Sequence, residues 1–369
     1  MNTPESIRRT RVAVILATLA VSLLVSARAN ALDWKALAQK GSGEVVTLLE
    51  VGGGDEYDEG DATFVQPGAI CVAADHSFFV VDGDGFVVHF SRDGEALARF
   101  GRKGEGPGEL MDPLVAALDP QGRLLVYETG NRRFSFLQPD GTFIKSMPYQ
   151  DFVERLAFTR DGALMVLATG DAWMPEPHST TRLARYAADL SAPVFLDSLS
   201  VRKFQIIAVS KENQTVVSTP YYAEMDFCML ADGSIAYGRG DRYEIRIVGP
   251  DLEPRATLRR DIAPRVLTDQ DRDEYVSSFE NNGEEFMARV RSGVAFPKYV
   301  PLNFRLFADG PFLIVVRDGP VLDVFDGETF LGEVSVPDFR VPRVIDGDRY
   351  YRPRYSGQQL PSVLVYSVR

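Results

Sequence analysis

The chain is poor in the residue types that most often announce chemistry. Its 369 residues include three histidines, two cysteines and two tryptophans. His76, His89 and His178 lie far apart, and none stands at a metal-ligand spacing such as H-x-x-x-H. There is no G-x-S-x-G to present a nucleophilic serine and no Gly-Lys-Ser/Thr to bring a lysine and a hydroxyl to phosphates. Positive charge is also scarce, with a formal net charge of −12. That balance argues against nucleic acid, whose binding depends on neutralising phosphates with Lys and Arg, and against adhesion to anionic lipid. The longest apolar run, 12–25, has 14 residues, too few to cross a bilayer comfortably.

That run lies in what reads as an export signal, residues 1–31. Arg8, Arg9 and Arg11 give a basic start, and Ala29-Asn30-Ala31 is a small-x-small cleavage site. Arg8-Arg9 also allows a twin-arginine route. Ile7 before the pair and Arg11 after it fit that route poorly, so an ordinary secretory signal is the plainer reading. No cysteine closely follows the run, so no lipid anchor is expected. Losing four arginines and one glutamate with the signal would leave the mature chain near −15, starting from −12. The expected product is periplasmic or secreted, without a stable membrane anchor, and monomeric.

What the sequence has in quantity is short strands and turns. In 114–146, an apolar run is followed by Asp119-Pro120-Gln121-Gly122, then by a strand at 123–127. Gly130-Asn131 marks a second turn, 134–137 a third strand, and Pro139-Asp140-Gly141 turns the chain into a fourth at 142–146. Four antiparallel strands in about forty residues make one blade of a β-propeller. Further units span about 66–102, 152–199, 225–260 and 301–336. A sixth, 339–368, is one strand short, and the solitary strand 44–51 supplies it. The predicted fold is therefore all-β, a six-bladed propeller over 32–369, closed where the N-terminal strand joins the C-terminal blade.

The repeat also places the cysteines. Cys71 and Cys228 each stand five residues before a turn position, where other units carry Ala117 and Ala157. An oxidising compartment would permit a disulfide, but equivalent positions in the first and fourth of six units lie across the ring, which predicts two free, buried thiols.

Several segments interrupt the pattern. The stretch 52–61 holds five carboxylates and could bind Ca²⁺, although a solvated acidic loop is the plainer reading. Asp82 and Asp84 read as turn formers. The connector 101–110, GRKGEGPGEL, could reach the mouth of a central channel, and Arg102, Lys103, Glu105 and Glu109 are its candidate ligand-binding residues. A loop at 170–180 adds Trp173 and His178. Residues 201–222 suggest an extra hairpin or an extended first strand. A helical insertion is expected at about 261–298: Thr268 and Asp271 form a capping box, and Tyr275, Val276 and Phe279 share a face. It could act as a lid or a partner surface.

The connector FGRKGEGPGEL followed by ALDPQGRLLVYETGNRRFSFLQPDG resembles a bacterial exported six-bladed β-propeller family related to NHL repeats. In that family a G-x-x-G-x-G-P-G-E-F/L connector leads to D-x-x-G and D-x-x-N-x-R-I; here Glu128 replaces the second Asp and Phe134 the aliphatic residue. The resemblance covers nearly the whole mature chain and implies fold more than chemistry. The leading functional expectation is an exported binding or interaction module for a protein, small-molecule or glycan ligand, with no catalytic residue and no cofactor assigned. The alternative is a metal-dependent hydrolase or lyase holding one Ca²⁺ or Zn²⁺ in the channel, as propeller lactonases and amidating lyases do. A third reading is a structural part of an envelope complex.

Overall fold

Six four-stranded antiparallel sheets form the ring, and they fall where the repeat predicts them. A computed structural model describes residues 32–53, 63–170, 178–208, 214–317, 319–355 and 360–369. The expected signal, most of the acidic stretch, and Trp173 lie outside those residues.

The described chain begins with a short helix, α1 (Trp34–Lys40), and a strand, β1 (Val45–Gly52). Blade 1 is β2 (Pro67–Val72), β3 (Phe78–Asp82), β4 (Phe86–Phe90) and β5 (Ala96–Phe100). Blade 2 is β6 (Pro113–Leu118), β7 (Leu124–Glu128), β8 (Arg133–Leu137) and β9 (Phe143–Pro148). Blade 3 is β10 (Phe152–Phe158), β11 (Leu164–Gly170), β12 (Ser179–Tyr186) and β13 (Val194–Val201). A separate hairpin, β14 (Phe204–Ala208) and β15 (Gln214–Ser218), precedes blade 4, which is β16 (Met225–Met229), β17 (Ile235–Arg239), β18 (Glu244–Val248) and β19 (Pro254–Arg259). Two helices follow, α2 (Asp269–Ser277) and α3 (Glu284–Gly293). Blade 5 is β20 (Phe304–Asp309), β21 (Phe312–Arg317), β22 (Val321–Asp326) and β23 (Thr329–Ser335). Blade 6 is β24 (Val344–Asp346), β25 (Arg349–Arg354) and β26 (Ser362–Val368), completed by β1 as the outermost strand.

β1 pairs antiparallel with β26 from Val45↔Val368 to Gly52↔Ser362, with a bulge between Thr47 and Leu49. The two ends of the described chain are thus locked into one sheet, and the latch expected from the sequence is present. The strand expected at 339–345 is much shorter, beginning only at Val344. Pro342 cannot donate to a ladder, and Phe339 turns instead into the core beside Tyr350 and Tyr366.

The strands read as continuous apolar runs because each blade is covered on both faces. Six apolar clusters fill the six gaps between neighbouring blades. One joins Ile70, Phe78 and Val88 of blade 1 to Tyr351, Val363 and Val365 of blade 6; another joins Leu125 and Phe136 of blade 2 to Leu164 and Val166 of blade 3. A seventh cluster lies outside the ring, where Ile207 and Val217 of the hairpin meet Val276, Val290 and Val294 of the insertion. Tyr275, Phe279, Phe286 and Met287 pack against it, so the extra hairpin and the helical insertion form one unit. Thr268 caps α2 in a full capping box with Asp271.

Turns repeat with the blades. Gly122, Gly162 and Gly233 follow the innermost strands at φ +78°, +84° and +87°, and His76 takes the same left-handed place at φ 66°, as the alignment of units implies.

Candidate functional site

The innermost strands β2, β6, β10, β16, β20 and β24 surround a central channel of about 480 Å³, within the range of small-molecule sites. Their first residues lie toward the face that carries the blade-to-blade connectors, the hairpin and the helical insertion. On blades 1 and 2 that mouth is apolar, with Gly68, Ala69, Ile70, Leu114 and Val115 in the wall. On blades 3, 4 and 5 the corresponding places carry Glu154, Arg155, Asp226 and Arg305. Cys71, Ala117, Ala157 and Cys228 line the channel further down. Both thiols are free and buried, and burial pushes each up to about 12.

The charges at the mouth are paired one to one. Arg155 Nη1 donates to both carboxylate oxygens of Asp226 at 2.6 and 2.7 Å, and its Nη2 donates to the Leu306 carbonyl at 3.2 Å. The Leu306 amide donates to Asp226 at 2.7 Å, so this one pair ties blades 3, 4 and 5 together. Arg305 Nη2 donates to Glu224 at 2.8 Å. Burial works against the Arg305 charge, but Asp226, Glu224 and Glu154 together outweigh it and raise its pKa. Lys203, just before the hairpin, pairs with Glu154 and donates to Thr169 Oγ1 at 2.8 Å. Its ammonium sits 5.7 Å from the ring centre of Tyr222, whose hydroxyl is held protonated by burial and then by Glu224 and Glu154. Asn303 accepts from the Glu224 amide and donates to the Tyr222 carbonyl, at 2.9 Å each. Glu154, Glu224 and Asp226 are therefore each committed to a separate cation. Among the described residues no group of three or more His, Cys, Asp or Glu is arranged to hold a metal ion.

The connector residues singled out from the sequence are gathered elsewhere on the same face. Arg102 donates to Glu109 from Nε at 2.8 Å, and Glu109 accepts the Gly106 amide at 2.9 Å. The Gly106 amide and then Arg102 hold the Glu109 carboxyl below its usual range. Lys103 Nζ lies 3.4 Å from Asp112 and 3.8 Å from Asp84. Glu105 contributes its carbonyl, which accepts from Arg133. Arg133 also donates to the carbonyls of Gly106 and Glu109 and to the buried carboxylate of Glu128. The glycines let the backbone close over the Glu109 carboxylate: a Cβ on Gly104 would meet Glu109 Oε2 at 2.1 Å. None of the four connector residues is part of the channel wall. His178 is exposed just before β12, well apart in sequence and on another blade.

Glu154, Arg155, Asp226 and Arg305 escape a reading by motif because each sits inside an apolar strand. Aligning the units exposes them. Where blades 1 and 2 have Gly68-Ala69 and Leu114-Val115, the later blades have Glu154-Arg155, Asp226 and Arg305.

No protein-family model and no curated protein matches the chain. Among solved structures, a Bacteroides fragilis protein described as exported is similar over 88% of this chain and 95% of its own, with a TM-score of 0.51 at 10% identity. A DUF4221 family member from Bacteroides vulgatus gives a TM-score of 0.47 at 10% identity over 89% and 99% of the two chains. Virginiamycin B lyase from Staphylococcus aureus gives 0.44 at 8% identity over 88% and 99%. At such identities any likeness is one of fold alone; by its own six four-stranded sheets the chain is a six-bladed β-propeller.

Proposed function

We propose that the protein is an exported binding module of the NHL-like propeller type, and that its ligand enters the central channel from the connector face. The observation that carries this reading is the channel mouth itself, where an apolar wall on blades 1 and 2 faces a self-neutralised set of polar groups on blades 3 to 5. Such a surface offers hydrophobic contact and fixed hydrogen-bonding edges, the usual composition of a small-molecule site. Its carboxylates are already paired and are poorly placed to act as a bare metal-binding or acid–base set. The basic, apolar, small-residue pattern of 1–31 supports export, and no helix among the described residues is long and apolar enough to cross a membrane.

The test is native mass spectrometry of the mature protein after incubation with an extract of the producing cells. A stoichiometric small-molecule adduct is expected with the wild type. Gly68→Trp should abolish it, because an added Cβ there finds only ordinary contacts, 3.7 Å from the Val81 carbonyl and 3.9 Å from that of Leu114, and a large side chain can be accepted at the mouth. An adduct that survives this change would place binding elsewhere. One tightly held Ca²⁺ or Zn²⁺ per chain in a metal analysis would turn the reading toward the hydrolase or lyase.

A further inference from the structure

The blade 6 side of the mouth breaks the pairing rule that holds on blades 3 to 5. Arg343 lines the channel just before β24. Its amide donates to the Tyr351 carbonyl at 2.8 Å, which sets it beside Arg352 on β25. Tyr366, stacked on Tyr350 with ring centres 5.3 Å apart, donates its hydroxyl to the Arg340 carbonyl and so draws the connector arginine to the same place. Arg340 and Arg343 are exposed and Arg352 is half-buried. Burial, and then the Arg340 and Arg343 guanidinium groups, pull Arg352 below the ordinary arginine range, with Tyr366 acting the other way. Among the described residues no carboxylate pairs with any of the three, whereas Lys203, Arg155 and Arg305 around the rest of the mouth each have one.

Three clustered guanidinium groups repel one another, and partial burial adds to the strain. A chain with an excess of acidic residues has carboxylates available to relieve this, yet among the described residues none pairs here. Guanidinium groups match the oxygens of carboxylate, sulfate or phosphate in paired hydrogen bonds, and such bonds strengthen where water is partly excluded. From this juxtaposition of an unneutralised arginine cluster with an apolar channel wall, we propose that the ligand is a small molecule with one anionic oxyacid head and an apolar body. Arg343, Arg352 and Arg340 hold the head, while the body lies against Gly68, Ala69, Ile70 and Leu114. The inference rests on the channel reading and adds the chemical class of the ligand.

The experiment uses three probes on the mature protein: 1-naphthyl phosphate (head and body), inorganic phosphate (head alone) and 1-naphthol (body alone). Naphthyl fluorescence anisotropy reports binding of the first and third, and calorimetry reports the second. 1-Naphthyl phosphate should bind at least about tenfold more tightly than either fragment probe, and added salt should weaken it. Arg343→Gln and Arg352→Gln should each weaken it about tenfold, the size expected for losing one charge-assisted contact, with unchanged circular dichroism. Arg343→Lys should restore part of the loss. Equal binding of naphthol and naphthyl phosphate, abolished in both cases by Gly68→Trp, would overturn the anionic head while leaving the channel reading intact. Binding of naphthyl phosphate that ignores the arginine variants, or no binding of any probe at millimolar concentration, would overturn the inference. Sedimentation with phosphatidylglycerol vesicles that depends on the arginines, without binding of the free probe, would overturn it in favour of a membrane surface.

Discussion

Among the described residues three carboxylates, Asp82, Glu128 and Asp323, have no exposed surface, and each is held by donors from neighbouring segments. Asp82 accepts the amides of Val65, Gln66 and Asp84, and Glu128 accepts from Met111, Asn131, Arg133 and Ser135. Asp323 is fully buried and joins two blades. It accepts from Tyr243 Oη at 2.6 Å and from Arg260 Nη1 at 2.7 Å, and Arg317 Nη2 lies 3.1 Å away. Burial, and then the Asp323 charge, keep the Tyr243 phenol protonated and therefore a donor. Removing one member of a buried charged set costs about 3–5 kcal/mol when the rest is stranded. Here Glu333 still neutralises both arginines, so Asp323→Ala should lose about 3 kcal/mol in urea unfolding, and Tyr243→Phe, which leaves the ion pairs whole, about 1 kcal/mol. A loss below about 0.5 kcal/mol for Asp323→Ala would mean that the network is ornamental. The thiols make a second residue-scale prediction. Their folded value of about 12 lies above the ordinary thiol value of 9.0, so folding favours the protonated form. The stability tied to that preference is intact below pH 9 and is lost as the pH climbs toward 12. Iodoacetamide at pH 8 should leave Cys71 and Cys228 unmodified in the native protein and label both in denaturant. Replacing both with Ala should blunt the alkaline loss of stability.

At the scale of the element, the helical insertion and its hairpin have their own core, separate from the six clusters of the ring. Their stability should therefore be partly independent. Thr268→Ala removes the cap of α2 and should cost about 1 kcal/mol, read as faster amide exchange in α2 with little change in the ring strands. Equal acceleration throughout would show that the insertion and the ring unfold as one. The capping box was legible in the sequence because Thr268 and Asp271 are three residues apart and act locally. The strand ladders were legible for the same reason: turn glycines such as Gly122 and Gly233 fix each hairpin within a few residues. Helix α1 was not legible. It has seven residues, and what holds it is distant: Trp34 is fully buried among residues of blades 5 and 6 and donates to Asp309 at 2.8 Å. The channel mouth was hidden by the same distance. Glu154, Lys203, Asp226, Arg305 and Arg343 come to one channel mouth only because the ring closes, and nothing within a single unit distinguishes a charge that faces the channel from one that faces solvent.

At the scale of the molecule, closure is the property on which everything else depends. Each blade supplies both faces to interfaces, so a blade missing its outer strand weakens the gaps on either side. β1 carries Val51 into the blade 6–blade 1 cluster, while α1 and Val45 enter or pack on the blade 5–blade 6 cluster. Deleting 32–53 should thus remove apolar contacts from two of the six interfaces and expose the edge of β26, and a cooperative thermal transition should be lost. What matters is that a latch exists, rather than where it sits. The two ends of the described chain are near one another, since the Glu44 amide donates to the Arg369 carbonyl at 2.8 Å. A flexible linker from Arg369 to Leu32, with new termini opened in the turn at 187–191, would make β13 the first strand of the chain and move the three-plus-one arrangement from blade 6 to blade 3. That permuted protein should melt cooperatively within a few degrees of the parent, because all six apolar interfaces and every strand pair survive. If the permuted chain fails to fold while the parent does, β1 has a role in assembly beyond the contacts it makes. If the truncated chain still melts cooperatively, the ring holds without its latch, and the grouping of charges at the channel mouth would no longer depend on the terminal strand.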